Sequence, residues 1–334
     1  MDERFVAHDP SFADVTGRSP RFELVVDCDA HEGPVYVAGE DALYVTSLPS
    51  AGPRTVVRRV ALDGDRFPVD RGCVQVVTTD AVMANGMTLD HDGRLVVCEQ
   101  GDRTHDACIS RIDPATGDRT VVVDSWRGRR LNSPNDVVVA ADGAIWFTDP
   151  TYGHLQGFRA RPEVGAFVYR WDPVRRVADV VADGFDQPNG IALTVDGSTL
   201  YVTDSGADQA AGTFHADRPH HVVAFDVVAG RLAGRRLLAV TAPGIPDGIK
   251  TDDAGRVYVS SATGVLVYSP VGDLLGEILL PGAVNFTFGG RGRNVLFVTD
   301  DTAIWAAVLA TSGGPVRPAA RRHPSTLLTS GAPS

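Results

Sequence analysis

The chain has 334 residues, with 31 Lys and Arg against 42 Asp and Glu, a formal net charge of −11 at pH 7. Acidic and basic residues are interspersed, so nucleic acid and anionic membrane are poor partners. No apolar run approaches the ~18 residues that would read as a spanning helix, and 35 glycines and 21 prolines fit a chain that turns often.

The opening MDERFVAHDPSF is charged from residue 2 and lacks an apolar h-region, so no signal peptide is expected and the protein is placed in the cytoplasm. The run FELVVDC (22–28) reads as a strand without a partner nearby. The first repeat follows: Glu32 in HEGPVYV, then the strand ALYVTS ending at Ser47, then a turn at Asp63-Gly64. The second has Asn85 in ANGMTLD, Asp92-Gly93, RLVVCE ending at Glu99, and Thr116-Gly117-Asp118. The third has Asn135 in SPNDVVV, Asp142-Gly143, AIWFTD ending at Asp149, AFVYRWD and ADVVAD. The fourth has Asn189 in QPNGIAL, Asp196-Gly197, TLYVTD ending at Asp204, a long loop, HVVAFDV, Ala229-Gly230 and RRLLAV. The fifth has Asp247 in PDGIKTD and RVYVSS ending at Ser261. The sixth has Asn285 in VNFTFGG and VLFVTD ending at Asp300.

The distance from each polar tag to the end of its following strand is 14 or 15 residues in all six units, while successive tags lie 53, 50, 54, 58 and 38 residues apart. A fixed internal register with variable spacing is the mark of a repeated supersecondary unit with loop insertions. Asp-Gly between β-branched and aromatic runs signals hairpins, and no segment holds a helical period. The pattern predicts an all-β, six-bladed β-propeller of four antiparallel strands per blade, one domain over 1–314. Residues 22–28 are expected to close the last blade, and 315–334 to form a flexible tail. A pair of β-sandwiches, or a seven-bladed ring with one degenerate blade, are the alternatives. Cys28, Cys73, Cys98 and Cys108 lack metal spacing and are expected as reduced packing thiols.

In a propeller the first strand of each blade lines the central channel, so tags in equal register should meet near the axis. Glu32, Asn85, Asn135, Asn189, Asp247 and Asn285 then offer two carboxylates and several amide oxygens. Such an all-oxygen set suits Ca²⁺ first, then Mg²⁺ or Mn²⁺. The plainer alternative is that each Asn-Gly or Asp-Gly only forms a turn.

At these residues the chain resembles the gluconolactonases, regucalcin (senescence marker protein) and diisopropylfluorophosphatase-like hydrolases, over about residues 5–310. The motifs are EGP at 32–34, LNSPNDVVV (131–139) running into WFTDPTYG (146–153), QPNGIAL (187–193) and PDGIKTD (246–252). The resemblance implies a six-bladed propeller with one divalent metal, Ca²⁺ before Mg²⁺, Mn²⁺ or Zn²⁺, held by Glu32, Asn135, Asn189 and Asp247. Asn85 and Asn132 would be substrate-side donors. Two departures fall on the pocket wall: Gln100 where many bacterial members carry His, and Thr46-Ser47-Leu48-Pro49 where Ser-Asp-Ile-Pro is frequent.

The activity so implied is metal-dependent hydrolysis of a sugar-type or related lactone. Asp247 is the first choice of base and Glu32 the second, with Asp247 as ligand only the alternative. Tyr152 is placed to contact substrate, with packing of its own loop as the alternative, and Asp136 and Asp149 to orient the ligand strands. Loop 205–220 is the expected lid; His215, His220 and His221 near it are expected as solvated. A small-molecule substrate and a monomer or weak homodimer complete the expectation. The competing classes are a phosphoester or organophosphate hydrolase, a lyase on the same metal, and a non-catalytic Ca²⁺-binding protein.

Overall fold

The computed structural model describes residues 3–49, 54–210 and 212–314. Among these residues the backbone builds six antiparallel sheets of the propeller type, in chain order, and a separate two-stranded ribbon. The blades begin, nearest the axis, at Glu32–Val37, Ala84–Leu89, Val137–Val139, Pro188–Leu193, Ile249–Thr251 and Phe286–Gly289. These are the six tag segments of the sequence.

Hairpin chemistry drives each blade. In the third, Asp142 Oδ1 accepts the Ala144 N–H at 3.0 Å and Gly143 supplies φ +80° between the first two strands. Period-two alternation then sends side chains to both neighbours. In Ile145–Asp149, Ile145 and Phe147 pack toward blade two, Phe147 stacking on Tyr169 at 5.1 Å, while Trp146 packs toward blade four. Six apolar clusters result, one in each joint between blades.

The ring closes through the last blade. Arg21–Ala30 pairs antiparallel with Asp301–Val308 and supplies its outermost strand. The strand is longer than the stretch 22–28 read from sequence. The lead segment adds a further device: Phe5–Ala7 pairs with Leu274–Leu279, giving blade five a fifth strand. The stretch 315–334, expected as a flexible tail, lies outside the described residues. Cys28, Cys73, Cys98 and Cys108 are all free thiols. Among the described residues no helix is long and apolar enough to cross a membrane.

Candidate active site

Three repeated local devices bring the tags together. The first is glycine. Gly33, Gly86, Gly190 and Gly248 each follow a tag directly, and a Cβ on any of them would approach the next blade's tag residue closer than 3.0 Å. Each inner strand therefore lies against the next at the level of the tag.

The second device is a hydroxyl one residue before the end of the following strand. Thr46 donates to the Asn85 carbonyl (3.2 Å), Thr148 to Asn189 (2.6 Å), Thr203 to Asp247 (2.9 Å), Ser260 to Val284 (2.6 Å) and Thr299 to His31 (2.7 Å). Every one of these bonds crosses to the next blade. Cys98 holds the register in blade two, where the Gly86 N–H reaches the Asn135 carbonyl at 2.8 Å instead.

The third is a carboxylate at the end of that strand. Asp149 accepts the N–H groups of Asn132 and Ser133 at 2.9 and 2.8 Å. Asp204 accepts those of Asp186 and Gln187, and Glu99 that of Val82. These are the residues two and three before each tag, so the acid fixes the approach of the tag loop. Burial pushes Asp149 up to about 7, against two amide bonds that favour its charged form.

The outcome is one cavity of about 920 Å³ at the channel mouth. Glu32, Asn85, Gln100, Asn135, Tyr152, Asn189 and Asp247 all line it. Glu32 Oε2 accepts its own Gly33 N–H at 2.9 Å and the Asn285 amide at 2.8 Å. Burial raises the Glu32 carboxyl, the nearby His31 works against that, and Asp136 adds to it. Asp247 is raised well above the carboxylate range, first by burial and then by the Glu32 charge. Two buried acids thus crowd one space, and the buried Asn85 Oδ1 beside them lacks a hydrogen-bond partner.

That donor set fits a hard divalent cation. Carboxylate and amide oxygens converge, and the acids want a counter-charge. Among the described residues no trio of His, Cys, Asp or Glu stands ready for a metal, so any cation here depends on the amides. Glu32, Asn135, Asn189 and Asp247 are the residues that would hold it.

Two sequence-predicted positions differ from expectation. Asn132 is not on this cavity: its amide donates to the Asp149 and Gly165 carbonyls at 3.2 and 2.9 Å, so it is no free donor for substrate. The Asp149 clamp on its backbone turns the side chain into the loop rather than toward the channel. Asn285, sixth of the tags, also stays off the cavity wall and holds Glu32. Tyr152 opens a single helical turn, Tyr152–Leu155, and is buried. Asp136 accepts the Ile191 N–H at 3.1 Å and ties blade three to blade four. From the expected lid, Asp208, Gln209 and Ala210 reach the cavity, while His215, His220 and His221 do not.

Sequence reasoning missed His31 and Asp301, which line the cavity and meet at 2.6 Å. Burial lowers His31, but the Asp301 bond and the Glu32 charge outweigh it and leave the imidazole raised. The signal was present: His31 directly precedes the first tag and Asp301 directly follows the last repeat's terminal Asp300.

Comparison with known proteins adds an independent line. The family model "SMP-30/Gluconolactonase/LRE-like region" matches residues 30–302. A gluconolactonase of Zymomonas mobilis is 30% identical over 315 residues, covering 85% of this chain and 83% of the relative. The lactonohydrolase oryL of Aspergillus oryzae is 27% identical, covering 85% of this chain and 69% of the relative. Among solved structures, the gluconolactonase XC5397 of Xanthomonas campestris superposes with a TM-score of 0.77 at 33% identity. The match covers 91% of this chain and 94% of that one.

Proposed function

The chain belongs to the SMP-30/gluconolactonase/LRE-like family, and on that footing we propose that it is a lactone hydrolase. It works with one divalent cation at the channel mouth, Ca²⁺ before Mg²⁺, Mn²⁺ or Zn²⁺. The observation that carries this is the meeting of Glu32, Asn135, Asn189 and Asp247 on one cavity, in a chain whose relatives are named lactonases.

A bound cation supplies charge that offsets both carboxylates and polarises a lactone carbonyl. The remaining work falls to the side chains. Asp247 takes a proton from water as the water oxygen bonds to the carbonyl carbon. It returns that proton to the ring oxygen when the acyl C–O bond breaks, so lactone and water become one hydroxy acid. Asn285 and the Gly33 N–H occupy one oxygen of Glu32 and fix its carboxylate plane. Asn85 Oδ1, unpaired, is an acceptor for a substrate hydroxyl. Gln100 and Tyr152 border the same space.

The test is a pH-stat assay on aldonolactones of differing ring size and on non-sugar lactones, with and without chelator. Turnover that chelator abolishes and added Ca²⁺ restores is expected. Turnover indifferent to chelator removes the cation from the proposal; hydrolysis of phosphoesters alone removes the lactone.

A further inference from the structure

Lys250 is the sole lysine of the chain. It lies on Ile249–Thr251, the inner strand of blade five, three residues beyond Asp247. The positions three beyond the other tags are Val35, Thr88, Val138, Ala192 and Phe288, which with Lys250 line the two cavities on the inner strands beyond the tags. An ammonium group among largely apolar side chains needs a counter-ion. Its acidic neighbour is Asp136, with Lys250 Nζ 3.7 Å from Asp136 Oδ2.

Asp136 is the second departure from the repeat. It stands where four units have glycine and is 2% exposed, and its carboxylate oxygens accept the Val137 and Ile191 N–H groups at 2.9 and 3.1 Å. Its negative charge is felt at both Glu32 and Asp247. The channel therefore carries a third buried carboxylate, directly after Asn135 in the chain, and one ammonium 3.7 Å from it. Two independent breaks in a sixfold pattern compensate each other.

We infer that Lys250 is a positioning residue that sets the charge of the cation site, weakening through Asp136 the negative field that Glu32 and Asp247 present. The inference rests on the cation proposed above and concerns this chain's own residues. A stem that merely filled the channel would explain neither the choice of lysine nor the paired carboxylate.

Calorimetric titration with Ca²⁺ and with Tb³⁺ tests it on the parent, Lys250→Met and Lys250→Arg, with thermal unfolding recorded for each. Coulomb energy scales with the charge of the bound ion. Lys250→Met is therefore expected to bind Ca²⁺ about tenfold more tightly and Tb³⁺ about thirtyfold more tightly, with Lys250→Arg near the parent. Unchanged or weaker binding of both ions by Lys250→Met overturns the inference. Should Lys250→Met not fold, Lys250→Gln removes the same charge and is judged by the same outcomes. If neither neutral variant folds while Lys250→Arg does, Lys250 is a structural counter-ion and the inference fails. A parent that binds neither ion sinks the proposed cation itself, whereas a parent that binds and a Lys250→Met that matches it sink only the role of Lys250.

Discussion

The first and last strands of blade four face opposite demands. Pro188–Leu193 is buried at five of its six positions, whereas Arg231–Val240 is buried at one of ten. The inner strand carries a tag, a glycine that abuts the next tag, and a carbonyl that takes a hydroxyl from blade three. The outer strand carries large apolar side chains in the open, Leu237 being 57% exposed. Chemistry and ring assembly are thus loaded on the same few residues at the axis. Sensitivity to substitution should fall from the axis outward.

The largest effect is expected at Glu32. Glu32→Gln keeps the carbonyl oxygen and removes the charge, so cation affinity should drop by on the order of 10²-fold or more, given that outer partners alone cost 10–100-fold. Calorimetry checks this, with an unfolding temperature near the parent's showing that the ring survives. Retained tight binding would break the claim that the axis carries the site.

Asp247→Asn is next. With cation saturating and occupancy measured separately, kcat on the best lactone should fall by about 10²–10⁴-fold, the contribution of a positioned base. Near-parent kcat would leave Asp247 a ligand only and pass the proton to Glu32.

Gly190→Ala sharpens the packing half of the comparison. Its new methyl would meet the Asp247 carbonyl and Ile249, so a loss of about 1–3 kcal/mol in denaturant unfolding should accompany lower activity. Thr148→Val is nearly isosteric but strands the Asn189 carbonyl and the Asp136 N–H; about 1–2 kcal/mol is expected. The smallest effect belongs to the outer strand of the same blade, where Leu237→Thr should stay within about 0.5 kcal/mol and leave kcat unchanged. Equal losses at Leu237 and Thr148 would erase the gradient.

How much of this was legible in the sequence follows the same gradient. Inner and second strands repeat with a 14- or 15-residue register because each unit places its tag against its neighbour, with a hydroxyl at the end of the second strand in five units and an acid that clamps the tag loop in blades two, three and four. That made the six-bladed ring and the convergence of Glu32, Asn85, Asn135, Asn189 and Asp247 readable. Side-chain direction within a loop has no such period. Asn132 read as a substrate donor, yet the Asp149 clamp on its backbone turns its amide to carbonyls of its own blade. Asn285 read as one tag among six, though it serves Glu32 and leaves the cavity to the others. Phe5–Ala7 was invisible as a strand because three residues carry no alternation, and its place is decided by the exposed edge of Leu274–Leu279. The partnership of Lys250 with Asp136 joins two residues that each look, alone, like an ordinary polar substitution.

The closing bond between Asn285 and Glu32 spans 253 residues, which matters while the chain is being made. At roughly 5–20 residues per second, the first tag leaves the ribosome roughly 13–50 s before its partner exists. Through that interval Arg21–Ala30 waits as an unpaired strand with no blade to join, the kind of edge that invites pairing with another nascent chain. Blades one to five have their later-made strands to hand as they emerge, but the proposed site at the channel mouth lacks Asn285 until the end. Activity therefore reports on completed synthesis: a chain stopped before residue 285 would hold most of its sheets and none of its chemistry.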